Sequence, residues 1–219
     1  MNAPARFITF EGPDGSGKTT QIQLLYDALR RKGCRALLVR EPGGTEIGDQ
    51  IRQVLHDTRN ASMLPNAELL LYSASRAQLV GQTIRPALMA GVTVLCDRYA
   101  ESTLAYQGYG RGLDLQVLRT ITDFATGGLR PDLIVYLDID TQEGLRRRQR
   151  SSQTGSGEWN RMDQQELEFY RRVRSGYLQM AAEEPYRWFI LDASRSIADI
   201  QACIWVKVER FLVEGSSQA

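Results

Sequence analysis

Histidine is nearly absent from this chain. His56 is the only one in 219 residues, so no second imidazole is available to share a metal ion, and a surface or capping role is expected for it. Cysteine is scarce as well: Cys34, Cys96 and Cys203 stand far apart, with no C-x-x-C pair to hold a metal or form a redox couple. Cys96 and Cys203 lie in apolar runs and read as small core residues in a reducing compartment. No run of about 18 apolar residues exists to span a bilayer, and the N-terminus lacks a basic-then-apolar signal pattern. A cytoplasmic protein is expected. The net charge of +1 leaves no overall electrostatic footprint for nucleic acid or an anionic membrane. Neither a repeat nor a linker divides the chain, and its length suits a single domain over residues 1–219 with a full core.

What the chain does contain is Gly12-Pro13-Asp14-Gly15-Ser16-Gly17-Lys18-Thr19, a full match to the phosphate-loop pattern G-x-x-x-x-G-K-[ST]. An apolar, β-prone run precedes it (Arg6 to Glu11), and helical spacing of Ile22, Leu25 and Leu29 follows it up to Gly33. That strand–loop–helix context is the one the motif requires. Its glycines let backbone N–H groups converge on phosphate oxygens, and the helix N-terminus adds partial positive charge. Lys18 reaches the β- and γ-phosphates, and the Thr19 hydroxyl suits Mg²⁺. The chain is expected to bind a nucleoside triphosphate.

Four more strands are expected, at Cys34–Arg40, Val92–Cys96, Leu133–Asp138 and Arg187–Asp192, alternating with helices. Pro65 opens a long helix that Pro86 kinks or restarts, and a glycine-rich loop is expected at 108–112. Thr141 is expected to cap the helix that carries Arg146, Arg147, Arg148 and Arg150. That helix should dissolve into the serine- and glycine-rich stretch 151–157, giving a mobile lid at about 146–162. A long charged helix is expected from about Gln164, and a disordered tail from about 215. The whole reads as α/β: a three-layer sandwich of the P-loop NTPase type, with a five-stranded parallel sheet covered on both faces. Its cleft should lie at the strands' C-terminal ends.

Read at those ends, Asp97-Arg98 is the most informative pair. The carboxylate suits Mg²⁺ or its waters, and the arginine offers a planar fork for a second phosphate. A structural ion pair closing the strand is the plainer alternative. The arginine cluster reads equally as a solvated helix face or as cations for a transferring phosphoryl group, and Arg161 across the loop is a further candidate. Tyr72 fits either a core position or a platform for a base, with Arg76 on the same helix face and Gln107 elsewhere to read the base edge.

Together these residues resemble the thymidylate kinase family over nearly the whole chain. The matching pieces are Phe10-Glu11-Gly12, Arg40-Glu41-Pro42-Gly43-Gly44-Thr45, Leu71-Tyr72 with Arg76-Ala77-Gln78, Asp97-Arg98-Tyr99, and Ser102-Thr103 with Ala105-Tyr106-Gln107-Gly108. The resemblance implies phosphorylation of dTMP to dTDP by MgATP in a homodimeric enzyme. It implies that Asp14 contacts the acceptor's sugar, Tyr72 stacks on thymine, Arg76 reads the base and Arg98 clamps the dTMP phosphate. Ser102, Thr103, Tyr106 and Gln107 would recognise base and sugar. Some members carry a catalytic arginine directly after the acidic loop residue. Here Gly15 stands there, so the resemblance implies a lid arginine, with Arg147 and Arg150 the candidates. The nearest rival is a kinase for another nucleotide. A GTPase-like switch is disfavoured by the lack of an N-K-x-D motif and of a D-x-x-G switch turn beyond the phosphate loop.

Overall fold

Strand register decides where this protein gathers its polar groups. A computed structural model describes residues 5–154 and 160–214; the stretch at 155–159 and the tail from 215, for which a lid and disorder were expected, lie outside the described residues. Five parallel strands form one sheet in the order β2-β3-β1-β4-β5: β1 (Phe7–Glu11), β2 (Ala36–Arg40), β3 (Thr93–Asp97), β4 (Leu133–Asp138) and β5 (Trp188–Asp192). Phe10 pairs with Asp97 and Val135, Arg40 with Asp97, and Asp138 with Asp192, so every strand delivers a charged residue to the same edge.

The pleat sends alternate residues to opposite faces. Ile8 and Phe10, with Val135 and Leu137, pack against Ile22 and Leu25 of α1 (Lys18–Arg31) and Ile204 and Val208 of α9 (Ile197–Glu214). Ile134 and Tyr136 face the other layer, where Val173 and Tyr177 of α8 (Leu167–Glu183) cover them. Phe7, Val94 and Cys96 close a third cluster with Leu79 of α3 (Pro65–Leu79) and Tyr99. The buried Cys96 is the core residue expected; Cys203 is half-buried at the edge of its cluster. Among the described residues, no helix is long and apolar enough to cross a membrane.

Three local expectations are corrected. The glycine-rich loop at 108–112 is largely helical: after α5 (Ala100–Thr103) the backbone widens into a π-helix over Leu104–Gly110. Gly110 allows this, because a methyl there would meet Phe169 Cε2 at 2.6 Å. The cap of α7 (Thr141–Gln153) is Asp140, whose Oδ1 accepts from the N–H groups of Gln142 and Glu143 at 3.0 and 3.3 Å, so Thr141 is the first helical residue. α7 also holds its helix through Ser151 and Ser152, and a 3₁₀ turn at Arg161–Gln164 precedes α8. Pro86 falls in the first turn of α4 (Arg85–Met89), after a π turn at Val80–Ile84.

Glu101 on α5 is buried, with Arg187 Nη1 3.8 Å away and its Oε2 without a hydrogen-bond partner. Burial and the nearby Glu11 push its pKa up to about 7. A carboxyl with a folded-state pKa above its unfolded value binds the extra proton in the folded state. Stability should therefore fall as pH rises from about 4.5 to 7. Glu101→Gln should be more stable than the parent at pH 8, by about 2–3 kcal/mol, and gain nothing at pH 4. Urea unfolding at the two pH values checks this.

Candidate active site

β1 ends directly in the phosphate loop, and two of the loop's glycines are required by crowding. Gly12 (φ 142°) would drive a Cβ to 2.6 Å from the Leu137 carbonyl oxygen, and at Gly15 (φ 81°) a Cβ would collide with the Gly144 carbonyl of α7. Lys18 Nζ lies along the loop and donates to the Gly12 and Pro13 carbonyls at 3.0 and 2.9 Å. Burial and the Arg98 cation lower its pKa to about 8 against the opposing pull of Asp14, Asp97 and Glu11. Beside it the Thr19 hydroxyl donates to Asp97 Oδ2 at 2.8 Å. A hydroxyl and a carboxylate side by side at a phosphate loop are the hard oxygen donors that Mg²⁺ takes.

Across the cleft Arg98 adopts φ 71°, the only described non-glycine residue with a positive φ, at a cost of about 1–2 kcal/mol. Its N–H donates to the Phe10 carbonyl at 2.9 Å, and the Cys96 thiol donates to its carbonyl. This backbone kink aims the guanidinium at Asp14 Oδ1 (2.7 Å), Tyr106 Oη (3.2 Å) and Ser102 Oγ (3.3 Å). Burial alone would raise the Asp14 pKa, but Arg98, Lys18 and Arg148 outweigh it and hold Asp14 below the ordinary carboxylate range.

Underneath lies a residue that sequence reasoning used only as part of a motif. Glu11 is fully buried. Its Oε1 accepts the Tyr99 N–H at 2.7 Å, and its Oε2 accepts the Ser102 hydroxyl at 2.6 Å and the Tyr177 hydroxyl at 2.8 Å. Burial raises its pKa, against Arg98 and these donors. The one available signal was its position, a charged residue closing an otherwise apolar strand.

The far wall combines Tyr72, Arg76, Thr103 and Gln107 in a cavity of about 710 Å³ that reaches Asp14, Lys18 and Arg98. Arg76 is almost wholly buried. Its Nε donates to Glu41 Oε2 at 2.7 Å, Nη1 to Thr103 Oγ1 at 2.9 Å and Nη2 to the Tyr99 carbonyl at 3.0 Å. Gln107 Nε2 donates to Glu68 Oε1 at 2.7 Å. His56, the last residue of the helix Glu46–His56, lines the same cavity and is half-buried. Burial and Arg52 lower its pKa to about 3.

The arginines of α7 divide by helix face. Successive residues turn by about 100°, so Arg147, Arg148 and Ser151 share the cleft side and Arg150, exposed, falls outside the lining. Arg147 donates to Glu143 Oε1 at 3.0 Å and to the Ala193 carbonyl at 2.9 Å. Arg148 forms a two-pronged pair with Asp163, at 2.8 Å on each side. Arg161 is buried away from this face, donating to the Leu55 carbonyl at 3.1 Å and to Glu68, which ties its turn to α2 (Glu46–His56) and α3.

A family model described as thymidylate kinase matches residues 10–204. A thymidylate kinase of Roseiflexus sp. (strain RS-1) is 53% identical over 213 residues, covering 94% of each chain. One from Deinococcus radiodurans is 52% identical over 202 residues, covering 92% of this chain and 95% of its own. The crystal structure of thymidylate kinase from Ehrlichia chaffeensis superposes with a TM-score of 0.73 at 32% identity, covering 93% of this chain and 98% of that one.

Because Tyr177 supplies one of the donors on Glu11, Tyr177→Phe should cost about 1–3 kcal/mol of stability, read as a lowered urea midpoint with an unchanged slope.

Proposed function

This chain belongs to the thymidylate kinase family, and we propose that the residues gathered round the cleft carry its reaction in the roles set out below. The enzyme is an ATP-dependent phosphotransferase that moves the γ-phosphoryl group of ATP to dTMP, giving dTDP and ADP on the way to dTTP. The observation that carries the assignment of roles is the facing arrangement of Lys18 and the Arg98–Asp14 pair within one cavity.

The phosphate loop, Gly12 to Thr19, holds the ATP phosphates. Lys18 exchanges its loop carbonyls for phosphate oxygens. Thr19 and Asp97 would hold the Mg²⁺ carried by ATP, and that ion would neutralise charge on the phosphate oxygens. Arg98 clamps the dTMP phosphate, pre-aimed by its kinked backbone, while Asp14 and Tyr106 keep it in place and Asp14 contacts the sugar. Tyr72 stacks on thymine, and Arg76, Ser102, Thr103 and Gln107 complete the pocket. A phosphate dianion is already a competent nucleophile, so no strong general base is needed. In-line positioning and cationic stabilisation supply the rate. Arg147 and Arg148 serve as the cations on α7, and the cleft lining favours Arg148 over Arg150.

α3 and α6 (Leu115–Thr126) pack together and leave Leu70, Val117 and Phe124 exposed, which supports a homodimer through this face. Sedimentation of the parent should give twice the 24.7 kDa chain mass, and Phe124→Glu should shift it toward monomer.

Coupled ADP release with MgATP and a panel of dTMP, dUMP, dCMP, dGMP, AMP and UMP tests the reaction. A clear preference for dTMP is expected; comparable rates with AMP would sink the thymine pocket. In the same assay Arg98→Ala, Arg147→Ala and Arg148→Ala should each lower kcat/KM by about 10²-fold or more, with Arg150→Ala close to the parent.

A further inference from the structure

A carboxylate that does not itself line the cleft determines how one residue of the lining is turned. Glu68 lies on α3 four residues before Tyr72 and eight before Arg76, so the three share a helix face. It is fully buried. Its Oε1 accepts from Gln107 Nε2 at 2.7 Å, and its Oε2 accepts from Arg111 Nη2 at 3.0 Å and from Arg161. Two guanidinium groups against one buried carboxylate keep Glu68 ionised, because the protonated form would leave buried Arg161 uncompensated.

An ionised carboxylate accepts hydrogen bonds and cannot donate one. Gln107 can therefore meet Glu68 only through its NH₂ end, which removes the ambiguity of a side-chain amide that would otherwise turn over freely. The carbonyl oxygen is then the acceptor left for the cavity wall, beside the second N–H of the amide, and among the described residues that oxygen accepts no hydrogen bond. We propose that Glu68 is a positioning residue for base selection. By fixing Gln107 as an acceptor, it makes the pocket select a base edge that presents an N–H there. The imide of thymine or uracil does so; the ring nitrogen of cytosine presents a lone pair instead and meets the oxygen as acceptor against acceptor. The same carboxylate holds Arg161, so the turn at Arg161–Gln164 and the base pocket share one anchor.

This inference rests on the dTMP reading above, and the test separates the two. The readout is the ratio of kcat/KM for dTMP to that for dCMP. Glu68→Gln offers either amide end to Gln107, so the ratio should fall by at least about tenfold. Glu68→Gln/Arg161→Met keeps the net charge of the cluster and should show the same loss. Arg161→Met alone removes a partner of Glu68 but spares its bond to Gln107, so stability should drop while the ratio holds. A folded Glu68→Gln or double variant with the parent's ratio overturns the inference. A parent that does not phosphorylate dTMP overturns the underlying reading instead. Should neither Glu68 variant fold, the parent decides: the Gln107 side-chain NH₂ signal, identified by its loss in Gln107→Met, should resist solvent exchange with dTMP bound. Free exchange overturns the inference.

Discussion

The burial of Glu11 is the constraint on which the cleft depends. A carboxylate with no exposure is tolerated only when donors surround it, since leaving it unpaired costs several kcal/mol. Those donors come from three places: the Tyr99 backbone after β3, the Ser102 hydroxyl on α5 and the Tyr177 hydroxyl on α8. Satisfying one side chain therefore fixes the exit of β3 against the end of β1 and pins α8 over both. The unfavourable φ of Arg98, one residue before Tyr99, is held in place by the same bonds. Backbone strain of about 1–2 kcal/mol is a small term against the loss of a buried carboxylate's partners.

Sheet register then turns geometry into chemistry. Because Phe10, Asp97 and Arg40 lie abreast, the phosphate loop, the metal-suited carboxylate and the Glu41 wall open on one side. Charge there is organised in layers. Asp14 and Arg98 face the cavity as a solvent-touched pair and Glu41–Arg76 forms part of its far wall, whereas Glu68–Arg161 lies behind that wall, almost wholly buried. The pair behind the wall holds Gln107 and the Arg161 turn, and the other two pairs border the cavity.

Much of this was legible in the chain. The phosphate loop, all five strands and the placement of Asp97, Arg98, Tyr72 and Gln107 about one cavity follow from local pattern together with the family resemblance. What escaped was set by distant partners. Glu11 and Tyr177 are 166 residues apart and Glu68 and Arg161 are 93 apart, so no spacing rule connects them. Local pattern suggests a loop at 108–112 because its glycines are turn residues, whereas the π-helix at Leu104–Gly110 runs on through Gly108 and Gly110, and Gly110 serves to admit the Phe169 ring. The resemblance singles out Arg147 and Arg150, whereas the rotation of α7 puts Arg147 and Arg148 in the lining and Arg150 outside it. Asp140 and Thr141 are both good capping residues one position apart, and local pattern does not rank them.

The contact between Gly15 and Gly144 makes two segments interchangeable only as a unit. The phosphate loop touches the first turn of α7 backbone to backbone, with no room for a side chain on the loop's side. A side chain therefore cannot stand at the position after Asp14 while α7 keeps its place, because any residue larger than glycine first displaces the helix that carries Arg147 and Arg148.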